Sequence, residues 1–154
     1  MAVGPLCIPA PTQELRDYGR GLYARLKEAV HVQLVDAHMP LTDSDAAPWV
    51  PAAKECHDNV DIWVASHAEH AGGPQYEAVR GWLYFDLGGM LDCVQFAAHS
   101  VVRVLSTGQL IDITPNPTES IYPFLHANVD EATYQRYESE LFASLGQSSI
   151  YHFP

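Results

Sequence analysis

Basic residues are scarce in this chain: eight Lys and Arg stand against nineteen Asp and Glu, a formal charge of -11 at neutral pH. No basic cluster is available to follow a phosphate backbone, so no nucleic-acid partner is expected. Long apolar runs are also missing. Stretches such as YGRGLYARL and IYPFL break off far short of the roughly 20 residues a membrane helix needs, and no membrane partner is expected. The first ten residues hold two prolines and no basic stretch, which does not make a signal peptide, and the expected compartment is the cytosol. Cysteine is limited to Cys7, Cys56 and Cys93. An odd count without a secretory signal favours reduced thiols over a disulfide framework. Internal repeats and long linkers are absent, so the 154 residues are expected to form one domain, 1–154, large enough to close a hydrophobic core without staples. No cofactor is expected.

What is present is an apolar fraction of 47% arranged first with helical and then with alternating period. After a Pro-rich lead, TQELRDYGRGLYARLKEAVHVQLVDAH spaces Leu15, Tyr18, Leu22, Leu26 and Val30 by three to four, with Thr12 as cap, and predicts one amphipathic helix. A loop dense in Pro, Asp and Ser then leads to Pro51 and a second helix. There Cys56, Val60, Trp63, Val64 and His67 share a face, and AGGPQ ends the helix. YEAVRGWLYFDL, CVQFAAHSVVRVLS and QLIDITP alternate and predict three strands of an antiparallel meander. VDEATYQRYESELFASLG predicts a third helix, capped by Asp130 and stopped by Gly146. The fold class is therefore α+β, with helices packed on an antiparallel sheet of three or more strands.

In chain order, a cysteine at a helix start is followed by a histidine inside a strand and an aspartate on the next: Cys56, His99, Asp112. A helix N-terminus favours a thiolate through its unpaired N–H groups and the positive end of its dipole. His99 can take the thiol proton and return it to a leaving group, while Asp112 can hold the other ring nitrogen. The oxyanion of such a reaction needs donors. Candidates are the backbone N–H groups of Cys56 and His57, with His57, Gln95, Trp49 and Trp82 as side chains able to contact substrate or oxyanion. Gln95 shares a strand face with His99. His57 is expected to turn away from Cys56, since adjacent helical residues do not face each other.

The order of Cys56, Arg80 and Gly81 in VRGW, His99 in AHSVVRV, and Asp112 and Thr114 in IDITP resembles transglutaminase-like and other papain-like cysteine enzymes. The match runs from about Cys56 to Pro115, and Ser100 stands where a Trp usually follows the histidine. The resemblance implies a nucleophile helix packed on an antiparallel sheet and thioester chemistry on an amide or related acyl group. It thus implies a cysteine hydrolase or an acyl or amide transferase, acting on a small molecule or a peptide. Arylamine acetyltransferases are similar in order and imply acyl transfer to a small amine.

Other readings remain open. A buried cysteine is often only core filling. Asp112 between two isoleucines needs a partner if it is covered, and Arg80 or Arg103 can supply a structural ion pair instead of His99. His67 and His70, three apart on a helix, can hold zinc together with Cys56 or His57, although their spacing is not that of the usual zinc helix. A partner-binding domain that keeps the fold without the chemistry is the third alternative.

Overall fold

Thr12 starts the first helix as its spacing predicts: its Oγ1 accepts the Leu15 N–H at 3.1 Å, and α1 runs Gln13–Ala24. A computed structural model describes residues 7–35, 50–52, 55–67, 75–89, 91–116 and 121–154. Its elements continue with a short 3₁₀ turn at Leu26–Glu28, β1 (Val30–His31), β2 (Gln33–Leu34), α2 (Cys56–Ser66), β3 (Tyr76–Asp86) and β4 (Val94–Val104). They end with β5 (Leu110–Asp112), β6 (Pro123–His126), α3 (Glu131–Leu145) and β7 (Ser149–His152).

The strands hydrogen-bond in the order β1, β6, β3, β4, β5, β2, with β7 also on β4. The class is α+β, but the sheet is mixed rather than antiparallel. β2 runs parallel to β5, pairing Gln33 with Ile111 and Leu34 with Asp112. That parallel strand comes from a stretch expected to be helix. The helical spacing through Val30 is overridden because VHVQLV is also β-branched and alternating, and β5 and β6 offer it ladder partners. β7 was equally unforeseen; its four residues pair antiparallel with Val94–Ala97 of β4.

The described residues group into two compact units, and β3 and β4 contribute to both. The first is drawn from Met1–Val30, Arg80–Ala98 and Tyr122–Pro154. Its core holds Leu15 and Leu22 of α1, Trp82 of β3, Phe96 of β4, Leu125 of β6, Tyr134 and Leu141 of α3 and Ile150 of β7. Burying each aliphatic side chain of this kind contributes about 1.5–3 kcal/mol. Gly81 permits close packing here, since a Cβ would collide with the Leu125 carbonyl and the Phe124 ring. Trp82 Nε1 donates to Tyr18 Oη at 2.9 Å, and that hydroxyl donates to the Ala127 carbonyl at 2.6 Å. Burial pushes the Tyr18 phenol up to about 12, so it remains a donor at any physiological pH. In the same unit, Asp130 caps α3 by accepting from Thr133 N at 2.7 Å, and Gly146 closes it in the left-handed region at φ 72°.

Cys7 and Cys93 are joined by a disulfide, which corrects the expectation of reduced thiols. Pro9 bridges to Tyr151, and Val94 pairs with His152, so both cysteines come to the same strand, β7. Sequence separation of 86 residues hides that proximity.

The second unit is drawn from His31–Val79 and His99–Ile121. Val60 of α2, Val102 of β4 and Ile113 are its buried centre, with Trp63, Val64, Tyr76, Ala78 and Ile111 packed around them. α2 therefore lies with its expected face on β4 and the exit of β5.

Candidate active site

α2 begins at Cys56, and Glu55 ahead of it makes no side-chain cap. The first N–H groups of a helix have no partner within it, and Cys56 stands at this end of α2, where a negative charge is favoured. Packing of Val60 against Val102 and Ile113 fixes how far this helix end reaches along β4. The result is that Cys56, His99 and Asp112 meet within the second unit.

His99 and Asp112 are both buried, and His99 Nε2 lies 2.6 Å from Asp112 Oδ2. Antiparallel pairing of Val102 with Ile111 brings the two strands to that register. Arg80 and Arg103, the other candidate partners of Asp112, are engaged elsewhere. Arg80 pairs with Glu131 at 3.1 Å, and Arg103 with Glu77 at 2.8 Å. With Nε2 committed to Asp112, Nδ1 is the His99 nitrogen left for its hydrogen bond to Cys56.

Burial alone raises the thiol pKa of Cys56, but hydrogen bonds from His57 and His99 outweigh it and bring the thiol down to about 6. Burial opposes the charged form of His99 too. Its bonds to Asp112 and then Cys56 prevail and lift the imidazole to about 9. Between those values the favoured state is a thiolate beside an imidazolium, and the pair titrates as one coupled system.

His57 is placed otherwise than expected. It bonds to the Cys56 thiol, and its Nδ1 to the Ser100 hydroxyl. Helix spacing describes Cβ directions, and a long side chain at the first turn can bend back over its neighbour.

A second polar chain holds the catalytic-looking groups in register. Thr114 N donates to Asp112 Oδ1 at 3.0 Å, which fixes the carboxylate's remaining oxygen. Asn59, 2% exposed, donates to Thr114 Oγ1 at 3.2 Å and to the Ala52 carbonyl at 2.7 Å, and accepts from Ala52 N at 3.0 Å. One amide therefore ties α2 to the segment before it and to the exit of β5. Sequence reading missed Asn59. Its signal was available: an asparagine three residues after Cys56 falls on the buried helix face.

No family model, curated protein or solved structure matches this chain. The geometry alone must carry the functional reading.

The remaining candidates have other partners or lie outside the described residues. Trp82 is fully buried in the core of the first unit, with its N–H given to Tyr18. Gln95, also of that unit, gives its amide N–H to Ser149 Oγ at 3.0 Å. Trp49 and His70 lie outside the described residues. His67 caps the end of α2, its Nδ1 2.7 Å from the Trp63 carbonyl and its ring packed on Trp63 and Tyr76. Among the described residues, no three His, Cys, Asp or Glu side chains are grouped to hold a metal ion.

A cavity of about 410 Å³ is lined by Leu34, Val50, Pro51, Ile113, Pro115 and Ile121 together with Thr114. Among the described residues its lining carries no charged side chain, and Gln33 and Asn116 add polar groups to it. Thr114 belongs both to this wall and to the chain of bonds that orients Asp112.

Proposed function

We propose that this protein is a cysteine-dependent hydrolase or acyl transferase with Cys56 as nucleophile, His99 as general acid and base, and Asp112 as orienter of His99. The observation that carries the reading is the continuous hydrogen-bonded series Cys56, His99, Asp112, with the thiol brought down to about 6 and the imidazole up to about 9. Structural cysteines in apolar surroundings shift the other way.

In this reaction the Cys56 thiolate attacks the carbonyl carbon of an ester, thioester or amide. The N–H groups at the start of α2 receive the charge that develops on the carbonyl oxygen. The tetrahedral adduct collapses as the bond to the leaving group breaks, and the leaving atom takes the proton from His99 Nδ1. The product is a thioester on Cys56 and a neutral His99 still held by Asp112. Water, or an amine acceptor, then gives a proton to His99 as it attacks the thioester, and the thiolate is expelled.

The largely apolar lining of this cavity, with Thr114 among its residues, supports an acyl group or peptide side chain of apolar character as the part of the substrate bound there. The order of motifs supports a papain-like arrangement of helix and sheet. Among the described residues no helix is long and apolar enough to cross a membrane. The Cys7–Cys93 bond weighs against the cytosolic expectation, because disulfides persist in oxidising compartments and are rare in the cytosol.

The test is a panel of p-nitrophenyl and amide acyl donors with wild type, Cys56→Ala and His99→Ala. The expected result is turnover in wild type and loss of about a thousandfold or more in either variant. Equal turnover in wild type and Cys56→Ala refutes the nucleophile. A protein that labels slowly, turns over no donor and binds a protein partner through this face is the non-catalytic alternative.

A further inference from the structure

Among the described residues, the cavity that Thr114 helps to line is neutral without being purely apolar. Leu34, Ile113 and Pro115 supply apolar wall, while Gln33 and Asn116 carry amides and Thr114 a hydroxyl. Thr114 is 6% exposed, so its hydroxyl is withdrawn from bulk water. The oxygen accepts from Asn59 Nδ2 at 3.2 Å, and among the described residues the hydroxyl hydrogen has no acceptor. A hydroxyl donates one bond while it accepts another. One buried donor therefore remains at the edge of the cavity for whatever fills it.

Three kinds of occupant can be compared on that basis. An ionised group would be taken out of water with no countercharge in the described lining, which is costly. A plain hydrocarbon chain suits Leu34 and Ile113 but leaves the Thr114 donor buried without a partner. An apolar residue within a peptide meets both demands, since its side chain is flanked by a backbone carbonyl that accepts and an N–H that donates. The amides of Gln33 and Asn116 offer both kinds of group in return.

We propose that this cavity takes the apolar side chain of a peptide substrate, with the Thr114 hydroxyl as the specificity group that donates to the backbone carbonyl flanking that side chain. This rests on the reading of Cys56 as a nucleophile and narrows the acyl group of that reading to a peptidyl one.

The bonds around Thr114 link this recognition to the chemistry. Its N–H is held by Asp112 Oδ1 at 3.0 Å, and Asp112 Oδ2 lies 2.6 Å from His99 Nε2. A peptide bonded to the hydroxyl is thus anchored on the residue that also fixes the carboxylate behind the general base. Substrate and base then share one frame, which favours a productive geometry. Asn59 orients the oxygen, and a hydroxyl that accepts a bond is polarised to donate a stronger one.

The experiment is isothermal titration of the Cys56→Ala protein with N-acetyl-leucinamide and with 4-methylpentanamide, which has the same carbon skeleton without the acetamido group. The first should bind roughly tenfold more tightly. Thr114→Val keeps the N–H on Asp112 and deletes the hydroxyl, and in the same background it should reduce that preference to within about twofold, while Thr114→Ser should retain it. The ligand pair carries the same test with Thr114 intact if Thr114→Val does not fold. Equal affinities for the two ligands, or a preference that Thr114→Val leaves in place, overturn this proposal. The reading of Cys56 is followed separately, by the pH midpoint of its labelling with iodoacetamide in the unaltered protein, read by intact mass. Cys56 is the one free cysteine of the three, so the label reports on it alone, and the midpoint is expected at about 6. A low midpoint with equal affinities leaves the nucleophile standing and removes only the peptide. A midpoint at the ordinary thiol value overturns both.

Discussion

Among the described residues, the unit around Trp82 buries twelve side chains in one cluster, ties its lead to β4 by a disulfide and satisfies its core tyrosine and tryptophan within itself. The unit around Val60 buries three apolar residues at its centre, yet it holds five of the six buried polar or charged ones: Asn59, His99, Ser100, Asp112 and Thr114. Apolar burial is non-directional and adds up with area. A buried polar chain stabilises only when every member has its partner, and it spends that order on aiming particular atoms. On the proposed reading the first unit serves stability and the second chemistry, as expected when a site's polar groups are kept at some cost to the fold.

The largest effect should come from the first unit. Trp82→Ala removes a large buried side chain of its core and the N–H that the Tyr18 hydroxyl accepts, and is expected to cost about 3–5 kcal/mol in urea unfolding. Reduction of Cys7–Cys93 should cost about 2–4 kcal/mol and leave the labelling midpoint of Cys56 unchanged. A shift of that midpoint on reduction breaks the division between the units.

Asn59→Ala sharpens it from the other side. Loss of bonds to Ala52 and Thr114 leaves buried groups unpaired and should cost about 1–3 kcal/mol by thermal unfolding. Unlike Trp82→Ala, it should also slow Cys56 labelling in protein that remains folded. The smallest effect is on substrate choice. Val50→Asp puts a carboxylate in the lining of the largely apolar cavity, where Val50 is 62% exposed, and should lower kcat/KM for apolar acyl donors roughly tenfold with labelling unaltered.

The pH dependence separates chemistry from stability. Cys56 titrates lower in the fold than its ordinary value of 9.0, so its contribution grows as pH rises above about 6 and is lost as pH falls through 6. His99 titrates higher than its ordinary 6.5, so its contribution is full below 6.5 and is lost as pH rises through about 9. Across pH 6.5 to 9 the two slopes have opposite sign and cancel, and stability should be nearly level on their account. Activity should instead be bell-shaped with limbs near 6 and 9, because it needs the thiolate and the imidazolium together.

Sequence spacing was sufficient for α2, which carries Cys56, for α3, and for β3, β4 and β5, of which the last two carry His99 and Asp112, since helical and alternating periods report which face is buried. It was insufficient where two periods coincide, as at Val30–Leu34, and where pairing partners are distant, as for β7 and for Cys7 with Cys93. At the site, residue order brought out the Cys56, His99, Asp112 series because each type has one evident task. His57 with Ser100, and Asn59 with Thr114, are pairs of ordinary polar residues. Their meaning depends on register and side-chain direction, which a single sequence does not encode visibly.

The most direct test of Cys56 as nucleophile is rapid-quench intact mass spectrometry of the protein mixed with an activated apolar ester at pH 7.5. The account predicts an acyl adduct on Cys56 that forms in a burst, decays by hydrolysis or transfer, and is absent in Cys56→Ala. Acylation of wild-type Cys56 no faster than that of the unfolded chain's cysteine contradicts it.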